Sequence, residues 1–258
     1  MAKSTKEKSK ASPKNKSKAK MLSFKVSHGI MPALDSDSVY DVLRTVEATT
    51  RIEGIIGYKI GLTLALRLGL PGAVSLLREV TDLPIIYDHQ KAGPDIPDMG
   101  PKFCALAAEA GVSGLILFPL AGPKAVDAFV GGSLESGLLP LVGGDLPLKD
   151  YNASGGGYVI DDALEQIFKR AVDHGASHFI VPGNTDEKVR HHASVLVNAI
   201  RKPSLVIPGI GALGGNISDC FAAAKGCRAY AVVGRAIYGA NDPAEAAKQL
   251  AGEALAFA

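Results

Sequence analysis

From Phe24 onward, short apolar runs alternate with longer segments whose apolar positions recur every three or four residues. The runs fall near 29–34, 55–60, 83–87, 114–118, 138–142, 178–181, 204–207 and 229–233. Most are bounded by Gly, Pro or polar residues, which reads as a series of buried strands. The segments near 36–48, 63–80, 99–110, 123–130, 160–174, 185–200, 217–225 and 242–256 read as helices. Several helix starts are signalled. Asp35-Ser36-Asp37-Ser38 offers caps before Val39, Asp186-Glu187 follows Asn184-Thr185 in a first turn, and Asp242-Pro243 places Pro at a first helical position. Eight strand–helix units in roughly 235 residues predict a (β/α)8 TIM barrel of ordinary size. A doubly wound sheet is the competitor. Its dinucleotide-binding form is poorly supported, because no Gly-x-Gly-x-x-Gly follows the first run.

Residues 1–20 depart from this pattern. They hold eight Lys, one Glu and no large apolar side chain beyond Met1, too little to offset the entropy of ordering, and are expected to form a disordered basic tail. Residues 21–258 are expected to form one barrel domain. The tail changes how the net charge reads: the whole chain is +2 and the tail +7, which leaves −5 on the rest. Contact of the tail with a polyanion is one expectation, and a solubilising extension is the other. The three cysteines form no Cys-x-x-Cys pair, which argues against a disulfide framework or a zinc site and fits a reducing, cytoplasmic location. No apolar run reaches the roughly 18 residues of a membrane span, so no membrane contact is expected.

Barrel chemistry sits just past the C-terminal ends of the strands. Past the third run, the stretch 87–97 packs Asp88, Lys91 and Asp95 into eight residues. Past the first run comes Asp35. The second run contains Lys59, a cation in an apolar stretch that needs carboxylate partners, and Asp88 and Asp95 are the expected ones. The seventh run leads into Pro208-Gly209-Ile210-Gly211-Ala212-Leu213-Gly214-Gly215, where glycines let the backbone aim N–H groups at an anion. The eighth leads into Gly234-Arg235. Strands seven and eight are the usual phosphate-holding pair of such barrels. His191 and His192 are adjacent on a helix and do not share a face, so a metal pair is not expected. The long loop 143–157, after the fifth run, reads as a lid or as disorder.

These residues together resemble the archaeal-like branch of the orotidine 5′-phosphate decarboxylase family. Its signature Asp-x-Lys-x-x-Asp-Ile-Pro is matched in order by Asp88, Lys91 and Asp95-Ile96-Pro97, its Lys after strand two by Lys59, and its early Asp by Asp35. Its phosphate loop resembles 208–216, and its Gly-Arg matches Gly234-Arg235. The resemblance implies a homodimer with shared active sites and no metal or organic cofactor. It implies catalytic roles for Lys59, Asp88, Lys91 and Asp95. Substrate contacts would come from Asp35, from Ile96, from the loop residues Pro208, Gly209, Ile210, Gly211, Ala212, Leu213, Gly214 and Gly215, and from Gly234 and Arg235. The chain also departs from the family pattern. Asp88 and Lys91 are three residues apart rather than two, Leu213 stands where the family has Gln, and the family's pyrimidine-contacting Ser has no clear match, Asp145 lying nearest and Ser154 further on. Two other readings stay open: a Mg²⁺-dependent sugar-phosphate decarboxylase or aldolase on the same barrel, and a non-catalytic nucleotide-binding protein.

Overall fold

A computed structural model describes residues 22–90, 95–211 and 214–258. Eight parallel strands close into a barrel in sequence order, as the strand–helix alternation predicts. They are β1 His28–Leu34, β2 Tyr58–Ile60, β3 Ile85–Asp88, β4 Gly114–Leu117, β5 Leu139–Val142, β6 His178–Ile180, β7 Ser204–Pro208 and β8 Arg228–Val233. The helices are α1 Val39–Thr49, α2 Leu62–Arg78, α3 Met99–Glu109, α4 Pro123–Glu135, α5 Ala163–Asp173, α6 Asp186–Ala199, α7 Ile217–Ala223, α8 Arg235–Tyr238 and α9 Pro243–Leu255.

Two cores follow from the strand period of two. Side chains of one parity, such as Met31, Ala33, Ile86, Ile116, Leu141, Val206 and Tyr230, fill the barrel. Those of the other parity, such as Ile30, Leu34, Ile85, Leu115 and Val233, pack against the helices. Phe24 stops the N-terminal mouth, edge-on to Tyr230 at 4.9 Å and to His178 at 5.6 Å.

Local chemistry sets the element ends. Ser38 caps α1 by accepting from the Asp41 N–H, and Asp242 caps α9 by accepting from Ala244 and Glu245. Thr185 precedes α6 without a side-chain cap. β2 is shorter than the run 55–60 because the ladder breaks at Gly57, where a Cβ would lie 2.5 Å from the Pro84 carbonyl oxygen. Ile55 still bridges to Ile30. α4 runs past the expected residue 130 through Gly131-Gly132. Without side chains there, α3 and α4 close up: a Cβ on Gly132 would lie 3.2 Å from Pro101 Cα, and one on Gly100 2.9 Å from the Ala128 backbone. α2, expected as one helix, breaks at Gly69 (φ 68°, ψ 152°), two residues before Pro71. The 143–157 loop is built rather than open, with a short 3₁₀ turn at Ala153–Gly155 and the Tyr151 hydroxyl donating to the Gly144 carbonyl.

Candidate active site

The inward parity of the strands, carried just past their ends, builds a pocket of about 360 Å³ at the C-terminal mouth. Met31 and Ala33 point into the barrel, and Asp35 follows in the same parity. Ile86 leads likewise to Asp88, Ile116 to Phe118, Ile180 to Pro182, Val206 to Pro208, and Val232 to Gly234. Lys59 is the inward residue of β2, in register with Ala33 on one side and Ile86 on the other.

This register gathers the charges. The Lys59 ammonium lies 2.9 Å from Asp88 Oδ2 and 3.1 Å from Asp35 Oδ2. Its side chain is 6% exposed, that of Asp88 4% and that of Asp35 30%. Burial pulls the Lys59 pKa down, but the carboxylates of Asp88 and then Asp35 more than reverse this, and the net shift is upward. Lys59 is therefore a fixed cation. Its partners correct the sequence reading in one respect: Asp35 holds it, not Asp95. Asp95 and Ile96 are exposed and do not line this pocket, and the Asp95 carboxylate accepts from the Ile96 N–H. Lys91 lies outside the described residues. The strand ends at Asp88, whose Oδ1 accepts from the Gln90 N–H in a tight turn.

The adjoining side of the mouth comes from β7 and β8, β8 being paired with β1. Pro208, Gly209, Ile210, Gly234 and Arg235 line the pocket. Gly209 sits at φ 97°, which a side chain would strain. The loop does not offer all its amides to a ligand. The N–H of Gly211 bonds to Gly215, that of Gly214 to Gly211 and that of Gly215 to Gly209. Among the described residues, Gly209 and Gly234 donate to no backbone carbonyl. Ala212 and Leu213 lie outside the described residues. Arg235, the first residue of α8, adds a solvated guanidinium.

Several lining residues were not singled out from the sequence as site residues: Gln90, Phe118, Pro182 and Tyr238; the buried Asp145, nearest match to the family's Ser, also lines the pocket. Strand parity would have found most of them. Asp145 continues the inward series Leu139, Leu141, Gly143. Ser154, the more distant match for the family's Ser, is bonded to Asp161 outside this pocket. His192 is buried while His191 is exposed and meets Glu165, so the two do not share a face. Among the described residues no three His, Cys, Asp or Glu form a metal-binding group. No described helix is long and apolar enough to cross a membrane.

Comparison with known proteins agrees with this geometry. Residues 29–250 match the model of the orotidine 5′-phosphate decarboxylase / HUMPS family. An orotidine 5′-phosphate decarboxylase of Methanosarcina barkeri is 31% identical over 222 residues, 86% of this chain and 92% of that one. That of Thermococcus kodakarensis is 31% identical over 218 residues, 84% and 93% of the two chains. The crystal structure of the Pyrococcus horikoshii decarboxylase superposes with a TM-score of 0.69 at 25% identity, covering 87% of this chain and 98% of that chain. That of the Methanocaldococcus jannaschii protein gives 0.73 at 20% identity, over 88% and 98%, and speaks for the fold. A barrel of this topology, with Lys59 clamped between Asp35 and Asp88 and a family match over almost all its length, belongs to the orotidine 5′-phosphate decarboxylase / HUMPS family.

Proposed function

We propose that the chain decarboxylates orotidine 5′-phosphate to uridine 5′-phosphate, the last step in making that pyrimidine nucleotide de novo. The observation that carries this is the Asp35–Lys59–Asp88 row, buried at Lys59 and Asp88, beside a Gly-Arg cradle in one pocket. The cradle suits the phosphate. Gly209 and Gly234 allow close approach, and Arg235 pairs with phosphate oxygens. The row suits the reacting end. Loss of CO₂ leaves a carbanion on a ring carbon that cannot delocalise it, so the site must supply positive charge where the carbanion forms. Asp88 would face the substrate carboxylate. Two such charges about 4 Å apart repel by roughly 4 kcal/mol at an effective dielectric near 20, and the repulsion ends as CO₂ leaves. That is a small part of a rate enhancement that can reach about 23 kcal/mol, so preorganised cations and phosphate binding must supply the rest. Lys91 is assigned the proton donor, by its place in the matched motif.

The same reading gives the finer assignments. Residues 21–258 act as one catalytic domain in the cytoplasm, two chains pair, and Asp95 and Ile96 serve the partner's pocket; the basic tail is a solubilising extension or a contact for polyanions. The metal-dependent sister reaction is disfavoured. The Lys59 ammonium takes the space between Asp35 and Asp88 that a divalent cation would need, and the relatives at about 30% identity are named decarboxylases. The test is the loss of orotidine absorbance on mixing orotidine 5′-phosphate with purified protein in EDTA. Full turnover under chelation is expected. Activity that vanishes in EDTA and returns with Mg²⁺ would hand the chain to the sister class.

A further inference from the structure

Gln90 lines the pocket but belongs neither to the charge row nor to the cradle. Strand geometry puts it there. The His89 N–H still bonds to the Ile116 carbonyl of β4. The His89 ring turns outward, packed on Phe103 of α3 with centroids 4.2 Å apart, and its Nδ1 lies 3.3 Å from the Tyr87 hydroxyl. The next residue therefore turns inward, as Ile86 and Asp88 do. It is also the second residue past Asp88, the place that the Asp-x-Lys spacing gives to Lys; here Lys91 comes one residue later. The Gln90 N–H holds Asp88 Oδ1 at 3.3 Å, while Lys59 holds Asp88 Oδ2 at 2.9 Å. The Gln90 side-chain amide is half-buried, open to the pocket, and bonds to no described residue. A ligand carboxylate placed beside Asp88 meets a second acceptor, and it needs a donor of its own. The Lys59 ammonium is taken up by Asp35 and Asp88. Arg235 and Tyr238 come from α8, past β8 and three strands round the ring from β3. Among the described residues that line the pocket, Gln90 is the side-chain donor left beside Asp88.

We propose that Gln90 recognises the carboxylate that the reaction removes: its side-chain N–H donates to that group and selects carboxylated ligands over those without it. This rests on the decarboxylation reading above and names a residue that binds the reacting group. A neutral amide fits the task. It holds the carboxylate beside Asp88 without cancelling the repulsion between the two, as a cation in the same place would. The contact is strongest before the reaction. As the carbon–carbon bond breaks, its electron pair stays on the ring carbon, which takes a proton from Lys91. The CO₂ departs uncharged and is a weaker acceptor. Gln90 therefore acts on substrate binding and not on the chemical step, which is left to Lys59, Asp88 and Lys91.

The test compares wild type, Gln90→Leu and Gln90→Glu in two measurements: turnover of orotidine 5′-phosphate, and calorimetric titration with uridine 5′-phosphate, which lacks the carboxylate. Leu removes the donor. Glu keeps the shape but sets a further carboxylate against the substrate's own. Gln90→Leu is expected to raise KM for orotidine 5′-phosphate by about 10- to 100-fold with no fall in kcat, and Gln90→Glu to raise it further. The affinity of Gln90→Leu for uridine 5′-phosphate should stay within about twofold of wild type. An unchanged KM would overturn the proposal, and so would an equal weakening of both nucleotides. A fall in kcat at constant KM would overturn it too, by placing Gln90 in the chemical step. If Gln90→Leu does not fold, Gln90→Glu decides by the same comparison. Turnover by wild type that both variants match removes this assignment alone. A wild-type protein that turns over no orotidine 5′-phosphate removes the decarboxylation reading and this assignment together.

Discussion

An ammonium buried as deeply as that of Lys59 is tolerable only while its carboxylates stay in place, and the dependence is mutual. Lys59→Met would leave Asp88 buried at 4% exposure without a cation. Removing one partner of a buried pair costs about 3–5 kcal/mol, whereas replacing both by apolar groups is often nearly neutral. Urea unfolding should show that loss for Lys59→Met and a return of most of it in Lys59→Met/Asp88→Leu, with neither protein turning over substrate. A single-variant loss below about 1 kcal/mol would mean the pair is not closed off from water as described. The row was partly legible in the chain. A Lys inside an apolar run demands carboxylates, and Asp88 was identified as one. Asp95 was expected as the other because it is near in sequence, but it lies seven residues beyond the end of β3, where strand register no longer dictates position. Asp35 is far in sequence and adjacent in space, because β1 pairs with β2 and Ala33 stands opposite Lys59. Asp145 was harder to read, since its partner Lys188 comes from α6, far along the chain.

Apolar runs and caps placed all eight strands and eight of the nine described helices to within a few residues. The exceptions have separate causes. At Gly131-Gly132 the helix continues, because tight contact with α3 rewards missing side chains. At Gly69 the reverse holds, and an expected continuous helix breaks. α8, with four residues, is too short for any periodicity to announce it. Gly69 gives a clean test. Its φ 68°, ψ 152° lies in a region that side chains avoid, yet the space around it is open, the nearest foreign atom being Pro71 Cδ at 4.0 Å. Gly69→Ala therefore pays conformational strain and no clash, about 1–3 kcal/mol. Thermal unfolding should show a lower Tm with unchanged substrate affinity. A Tm equal to wild type would argue that α2 is continuous there.

At the scale of the whole molecule, two buried histidines link stability to acid. His178, at the closed end of the barrel beside Phe24, and His192, on α6 near Glu165 and Asp145, are both pushed down to about 4, chiefly by burial. The unfolded chain binds these protons near pH 6.5 and the folded chain refuses them. The stability they contribute is complete above about 6.5 and is lost as pH falls toward 4. By pH 5 the loss should be about 2 kcal/mol for each. Urea unfolding at pH 7.5 and pH 5 should show it, and His178→Leu should lower the pH slope whatever its effect on the absolute value. An equal slope in the variant would remove His178 from the account. The second prediction at this scale concerns the proposed pairing. Asp95 and Ile96 are exposed and away from their own chain's pocket, which leaves them available to a neighbour, and a two-fold interface would make each chain both give and receive an Asp95. Take Lys91→Ala and Asp95→Ala, each inactive alone, and let subunits exchange. Random mixing makes about half the dimers mixed. In each of those, one site carries both lesions, and the other joins an intact Lys91 to an intact Asp95 from its neighbour. Activity should then return to about a quarter of wild type, one good site in half the dimers. If Asp95 served its own chain, every site would keep a lesion and mixing would restore nothing. Absence of recovery, with exchange demonstrated by mass-tagged subunits, would exclude the shared site.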